Sequence, residues 1–114
     1  MGEHEGLDII QGEVVQFDRA QVDKIPQIGW NSVSFQNTHH FLVEGIPNHS
    51  YFYFVHSYHA VPDQEEVILG KTTYGEVEFC AMVAKGNVFA TQFHPEKSSE
   101  RGIQMYRNFI NHCT

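Results

Sequence analysis

Three runs decide the architecture: Glu76-Val77-Glu78-Phe79-Cys80-Ala81-Met82-Val83-Ala84, then Lys85-Gly86-Asn87, then Val88-Phe89-Ala90-Thr91-Gln92-Phe93-His94-Pro95-Glu96-Lys97-Ser98. In the first run Val77, Phe79, Ala81 and Val83 share one face while Glu76 and Glu78 point the other way, the period-two pattern of a strand. Lys85-Gly86-Asn87 reads as a short hairpin turn, and Val88 to Phe93 as the returning strand. With Ala84 paired to Val88, Cys80 would lie opposite Gln92. Beyond the hairpin the period changes. Ser98 or Ser99 can cap a helix, Glu100 suits the positive end of its dipole, and Ile103, Tyr106, Phe109 and Ile110 follow helical spacing, which predicts packing on a sheet.

Working outward, Tyr51 to Val61 is an aromatic-rich strand. Its first five residues are apolar on both faces, so a central place in a sheet is expected. Val67 to Tyr74 is a further strand ending at Gly75. Leu7 to Phe17 reads as extended, with Gly12 marking a bulge or turn. Ile25-Pro26-Gln27-Ile28-Gly29-Trp30-Asn31 reads as a loop with a strand fragment, and His40 to Ile46 as a single helical turn closed by Gly45 and Pro47. Several strands followed by one helix give a mostly β or α+β piece.

Composition narrows the function classes. The 114 residues carry 7 Lys and Arg against 14 Asp and Glu, a formal net charge of −7. Nucleic acids and anionic membranes select basic surfaces, so both are disfavoured as partners. The chain is 41% hydrophobic, which argues against disorder, and no apolar run approaches the ~20 residues of a membrane span. Two cysteines, Cys80 and Cys113, cannot staple a secreted framework, so a reduced cytoplasmic setting is the expectation.

The strongest chemical signal is His94-Pro95-Glu96. In extended chain, residues i and i+2 project to the same side, and Pro95 pushes His94 towards extended geometry. A carboxylate there can accept the imidazole N–H, orient the ring and support a base that deprotonates a nucleophile. The same pattern also suits a strand-end histidine bonded to a loop. Val55-His56-Ser57-Tyr58-His59, directly after the aromatic strand, suits either a ligand edge or a solvated strand end. The eight histidines lack metal-ligand spacing, and the scattered glycines form no phosphate loop. Cys80, between apolar neighbours in mid-strand, reads as a core residue rather than a nucleophile.

The run Phe89 to Ser98 resembles the C-terminal block of the class I glutamine amidotransferases. Pro26 to Asn31, Tyr51 to Tyr58, Thr73-Tyr74-Gly75 and the stretch to Ser99 resemble, within that family, the glutaminase subunits of imidazole glycerol phosphate synthases. Another class I amidotransferase, sharing only His94-Pro95-Glu96, is the alternative.

The resemblance implies an α/β fold, the C-terminal half of a flavodoxin-like domain, strand-rich with a C-terminal helix. It implies glutamine hydrolysis to glutamate and ammonia for histidine biosynthesis, without a cofactor. His94 would be the general base and Glu96 its orienting partner. Ser57 and Tyr58 would line the glutamine site. Trp30, Asn31, Tyr53 and Lys97 would face the (β/α)₈ barrel of the cyclase subunit in a heterodimer. The family's Gly-x-Cys-x-Gly elbow lies upstream of the segment resembling Leu7 onward. Residues 1–114 are therefore expected to be the C-terminal part of one domain, inactive in isolation or serving as a docking module.

Overall fold

A computed structural model describes residues 12–22, 24–86 and 88–113. Leu7 to Gln11, Asn87 and the Cys113 side chain, all included in the sequence reading, lie outside the described residues. Eight strands are present: β1 (Gly12–Gln16), β2 (Gln27–Ser32), β3 (Ser34–Phe35), β4 (Tyr51–His56), β5 (Tyr58–Pro62), β6 (Ile68–Tyr74), β7 (Val77–Lys85) and β8 (Val88–Thr91). One long helix, α1 (Ser99–Cys113), closes the chain, and short 3-10 turns occupy Phe41–Val43, Glu65–Val67 and Pro95–Lys97.

The main sheet runs β1-β5-β7-β6-β3, with β8 also on β7, while β2 and β4 form a separate two-stranded ribbon. Every described ladder is antiparallel. β7 is the hub. One edge takes β6, and the other is shared between β5 at Cys80 and β8 at Met82 to Lys85. That placement overrides the alternation in its middle, where Phe79, Cys80, Ala81 and Met82 are all buried. A strand covered on both faces has no solvent side to keep polar.

Several expectations are corrected. The hairpin pairs Lys85 with Val88 and Ala84 with Phe89, one residue off the expected register. The β8 ladder ends at Thr91 opposite Met82, and Cys80 is instead paired with Ala60 of β5 and Lys71 of β6, not with Gln92. The aromatic strand breaks at Ser57, and β4 buries one face only. Phe52, Phe54 and His56 point inward, while Tyr51 and Val55 are exposed. On α1 the buried face is Gly102, Met105 and Asn108, and Ile103, Tyr106, Phe109 and Ile110 are exposed. Gly12 opens β1 in regular register with Pro62, without a bulge.

The core gathers Val33, Leu42, Val43, Phe52, Phe54, Leu69, Phe79, Met82, Phe93 and Met105. Phe93, next to His94, packs on Phe52 with ring centroids 4.3 Å apart and planes tilted by 31°, and lies 5.7 Å from Phe54. Burying aromatic surface there contributes roughly 1.5–3 kcal/mol per side chain and holds the end of the hairpin on β4. The helical turn expected at His40 to Ile46 is the Phe41–Val43 turn, where His40 Nδ1 accepts the Leu42 N–H at 3.1 Å. Asn108 of α1 donates to the Leu42 and Glu44 carbonyls, fastening the helix to that turn.

Candidate active site

His94 leaves the hairpin as the residue before Pro95, with φ −100° and ψ 98°. Proline disfavours helical geometry in the residue before it, so the chain stays extended up to His94 and only then curls. The Pro95–Lys97 turn brings Glu96 back, and His94 Nδ1 donates to Glu96 Oε2 at 2.9 Å. The pairing expected from i,i+2 spacing is present, but a 3-10 turn makes it rather than an extended strand. A carboxylate can only accept, so Nδ1 carries the proton and Nε2 keeps its lone pair. Glu96 is held below the usual carboxylate range, first by its own backbone N–H and then by His94.

Ser98 fixes this turn. Its fully buried hydroxyl accepts the Tyr53 N–H at 3.0 Å and donates to the His94 carbonyl at 2.6 Å. The His94 N–H in turn donates to the Tyr53 carbonyl at 2.9 Å. From the sequence alone Ser98 is a candidate helix cap. Its small hydroxyl beside His94-Pro95-Glu96 was the available signal, but its partner lies 45 residues away.

The ribbon presents the other candidate residues. Trp30 pairs across from Tyr53, with ring centroids 5.8 Å apart and edge-on, and Trp30 is 52% exposed. Ile28 and its partner Val55 continue the same outer face. Lys97 is exposed on the turn beside this strand. Asn31 lies one residue out of phase. Its amide donates to the Thr73 carbonyl at 2.8 Å and its carbonyl accepts the Ser32 N–H, so it ties β2 to β6. An open depression of about 330 Å³ separates Trp30 and Tyr51 from Glu100 and Arg101 of α1.

Ser57 and Tyr58 lie where β4 gives way to β5, and the Ser57 carbonyl accepts the Phe17 N–H at 3.1 Å. At ~3.3 Å per residue, Ser57 is roughly 13 Å along the strand from Tyr53, and no hydrogen bond joins it to His94 among the described residues. Between them His56 is buried. Its Nδ1 donates to the Tyr58 carbonyl at 2.8 Å and its Nε2 lies 2.6 Å from the amide of buried Gln27. Burial, and to a lesser degree the neighbouring His59 and His94, lower its pKa. Gln27 escaped the sequence reading. The i,i+2 phase from Phe52 and Phe54 to His56 was the signal that an inward polar partner was needed.

Cys80 is a poor nucleophile. Burial pushes its thiol up to about 11, and the thiol donates to the Met82 carbonyl at 3.4 Å. Among the described residues no three His, Cys, Asp or Glu side chains converge as metal ligands, and no helix is long and apolar enough to cross a membrane.

Comparison with known proteins places these features. The model of the glutamine amidotransferase class-I family matches residues 5–113. The imidazole glycerol phosphate synthase subunit HisH of Chlorobaculum tepidum is 49% identical over 109 residues, covering 96% of this chain and 53% of the relative. That of Methanocaldococcus jannaschii is 54% identical over 105 residues, covering 92% and 51%. A solved Thermoplasma acidophilum protein, described as part of a GMP synthase, superposes with a TM-score of 0.70 at 22% identity over 90% of this chain and 48% of its own, which shows the shared fold. The chain spans about half the length of the curated relatives it matches. The fold, the strand-end His94–Glu96 pair and the family match over residues 5–113 converge: the chain belongs to the class I glutamine amidotransferases.

Proposed function

We propose that residues 1–114 are the C-terminal part of one glutaminase domain, the ammonia-supplying subunit of an imidazole glycerol phosphate synthase in histidine biosynthesis. The 2.9 Å contact between His94 Nδ1 and Glu96 carries the reading. It fixes the tautomer in which Nε2 can take a proton from a thiol, and Glu96 stabilises the imidazolium that results. The thiolate, carried by a part of the domain outside this chain, would attack the carboxamide carbon of glutamine. His94 would return the proton to the departing ammonia, and water would then release glutamate from the thioester. Ser57 and Tyr58 would bind the glutamine, held in place by His56 through the Tyr58 carbonyl.

The ammonia would pass to a cyclase subunit. Exposed Trp30, edge-on to half-buried Tyr53, would form the aromatic centre of the docking face, with Lys97, Glu100 and Arg101 as its polar rim. Asn31 would support that face by holding Trp30's strand against Thr73.

The test is a chimaera in which this chain replaces the matching half of the Chlorobaculum tepidum relative. Glutaminase turnover is expected, and His94→Asn should lower kcat by about 10²–10⁴-fold. The isolated chain should not turn over glutamine. A soluble chimaera without turnover, or turnover that survives His94→Asn, would reject the catalytic assignment. Binding of the cyclase subunit from the same organism, weakened at least tenfold by Trp30→Ala, tests the docking face separately.

A further inference from the structure

The chain changes sheets at Ser57. β4 ends at His56 in the ribbon and β5 begins at Tyr58 in the main sheet, with Ser57 between them. Two hydrogen bonds hold this joint. The Ser57 carbonyl accepts the Phe17 N–H at 3.1 Å, and the Tyr58 carbonyl accepts from His56 Nδ1 at 2.8 Å. The peptides on both sides of Tyr58 are thereby fixed, while the Tyr58 side chain stays exposed. The second bond crosses from one sheet to the other, and it lasts only while the His56 ring keeps its place and its Nδ1 proton.

Gln27 is what holds the ring. β2 and β4 pair Gln27 directly with His56, and opposed residues of an antiparallel pair project to the same face. Both side chains are buried, and His56 Nε2 lies 2.6 Å from the Gln27 amide. Phe17, Phe54 and Phe79 surround the imidazole with ring centroids 5.2, 5.5 and 5.2 Å away, and phenyl rings fix neither nitrogen. The Tyr58 carbonyl can only accept, so Nδ1 must carry a proton. Nε2 is then an acceptor in the neutral ring and a donor in the imidazolium. An amide serves both, because its NH₂ and its oxygen exchange places when it turns end for end. Burial, opposed by the Tyr58 carbonyl, and then His59 and His94, the titratable groups facing the ring, lower its pKa and favour the neutral form. An apolar side chain of the same size would fill the space and leave Nε2 unpaired, and either nitrogen could then take the proton.

We infer that Gln27 is a positioning residue for glutamine hydrolysis: through His56 it sets the joint at Ser57, and so the geometry in which Ser57 and Tyr58 meet the substrate. The inference rests on the reading of Ser57 and Tyr58 as the glutamine-binding pair. Among the described residues no hydrogen bond joins Gln27 or His56 to His94 or Glu96, so the effect falls on substrate binding rather than on the proton transfers. An interaction that supports the bound substrate and the transition state alike changes KM and leaves kcat.

The experiment compares two substitutions. Gln27→Met keeps length and bulk but removes both hydrogen-bonding ends, whereas Gln27→Glu keeps an acceptor that can bond the protonated ring. In the chimaera with the Chlorobaculum tepidum relative, Gln27→Met should raise the KM for glutamine by about fivefold or more at pH 7.5, with kcat changed by less than about threefold. Gln27→Glu should return KM to within about twofold of the parent. A misfolded fraction lowers kcat and leaves KM, so KM reads the joint and not the yield of folded protein. In this chain, long-range proton–nitrogen spectra should show His56 protonated at Nδ1 alone, as a mixture of both tautomers in Gln27→Met, and at both nitrogens in Gln27→Glu. An unchanged KM in Gln27→Met, a loss confined to kcat, a Gln27→Glu variant no better than Gln27→Met, or a His56 ring that keeps its Nδ1 proton in Gln27→Met would each overturn the inference. A parent chimaera without turnover counts against the glutaminase reading instead, and the His56 spectra then decide by themselves whether Gln27 sets the ring.

Discussion

The buried hydroxyl of Ser98 stands 3.0 Å from the backbone nitrogen of Tyr53, and this contact ties the His94 turn to the ribbon. Both groups of the Tyr53 peptide that face this turn are taken, the N–H by Ser98 and the carbonyl by the His94 N–H. The base candidate and the docking candidate are therefore neighbours through one residue's main chain.

Ser98→Ala removes the acceptor and leaves the Tyr53 N–H buried without a partner. The expected loss is about 1–3 kcal/mol. Urea unfolding measures it. A midpoint equal to that of the parent would mean that the hydroxyl is replaceable by water.

Gly102 sits in the first turn of α1 with its Cα against Pro95. A Cβ there would run into the Pro95 carbonyl, which is backbone and has no rotamer to yield. Alanine normally stabilises a helix relative to glycine. Here Gly102→Ala should instead destabilise by about 1–3 kcal/mol, as overpacking does. Thermal denaturation decides between the two signs.

Acid should weaken the fold through its histidines. Burial lowers the pKa of His56 and His59, and burial together with His112 lowers that of His40. Below the ordinary value of 6.5 the unfolded chain binds protons that the folded chain refuses. Stability is thus greatest above that pH and falls as pH drops from 6.5 towards the folded-state values. The urea midpoint should be lower at pH 5.5 than at pH 7.5, and His56→Gln should reduce the difference. A flat profile would show that these rings are hydrated.

Glu96 moves in the same sense at lower pH. Its folded pKa is depressed, so its contribution is present above the ordinary carboxylate range and disappears as pH falls through the folded value. Carbon-13 titration of the Glu96 carboxyl should give a midpoint below that of an ordinary glutamate, rising partway back in His94→Ala. No change in that variant would assign the whole effect to the residue's own backbone N–H.

Strand identities were legible because period-two apolar patterns and the Gly86 turn are local properties. So was the His94–Glu96 pair, whose members lie two residues apart. Register was not. Nothing in Val77 to Thr91 distinguishes Ala84–Val88 pairing from the observed Ala84–Phe89 pairing, and that single step decides which β8 residue each β7 residue meets. Nor did composition reveal that Tyr51 to Val55 has a wet side, since an aromatic face fits a buried sheet and a docking surface equally well.

The amino-acid order by itself determined the family, the hairpin that ends in the His94–Glu96 pair, and the helix that follows. Each depends on neighbours within a few residues, where covalent geometry and proline and glycine dihedrals leave few choices. Only the tertiary structure decided that Ser98 clamps Tyr53, that Gln27 meets His56, and that α1 turns Met105 inward and Ile103 outward. Those choices depend on which surfaces meet across tens of residues, and hydrophobic burial, being non-directional, encodes no such pairing in local sequence.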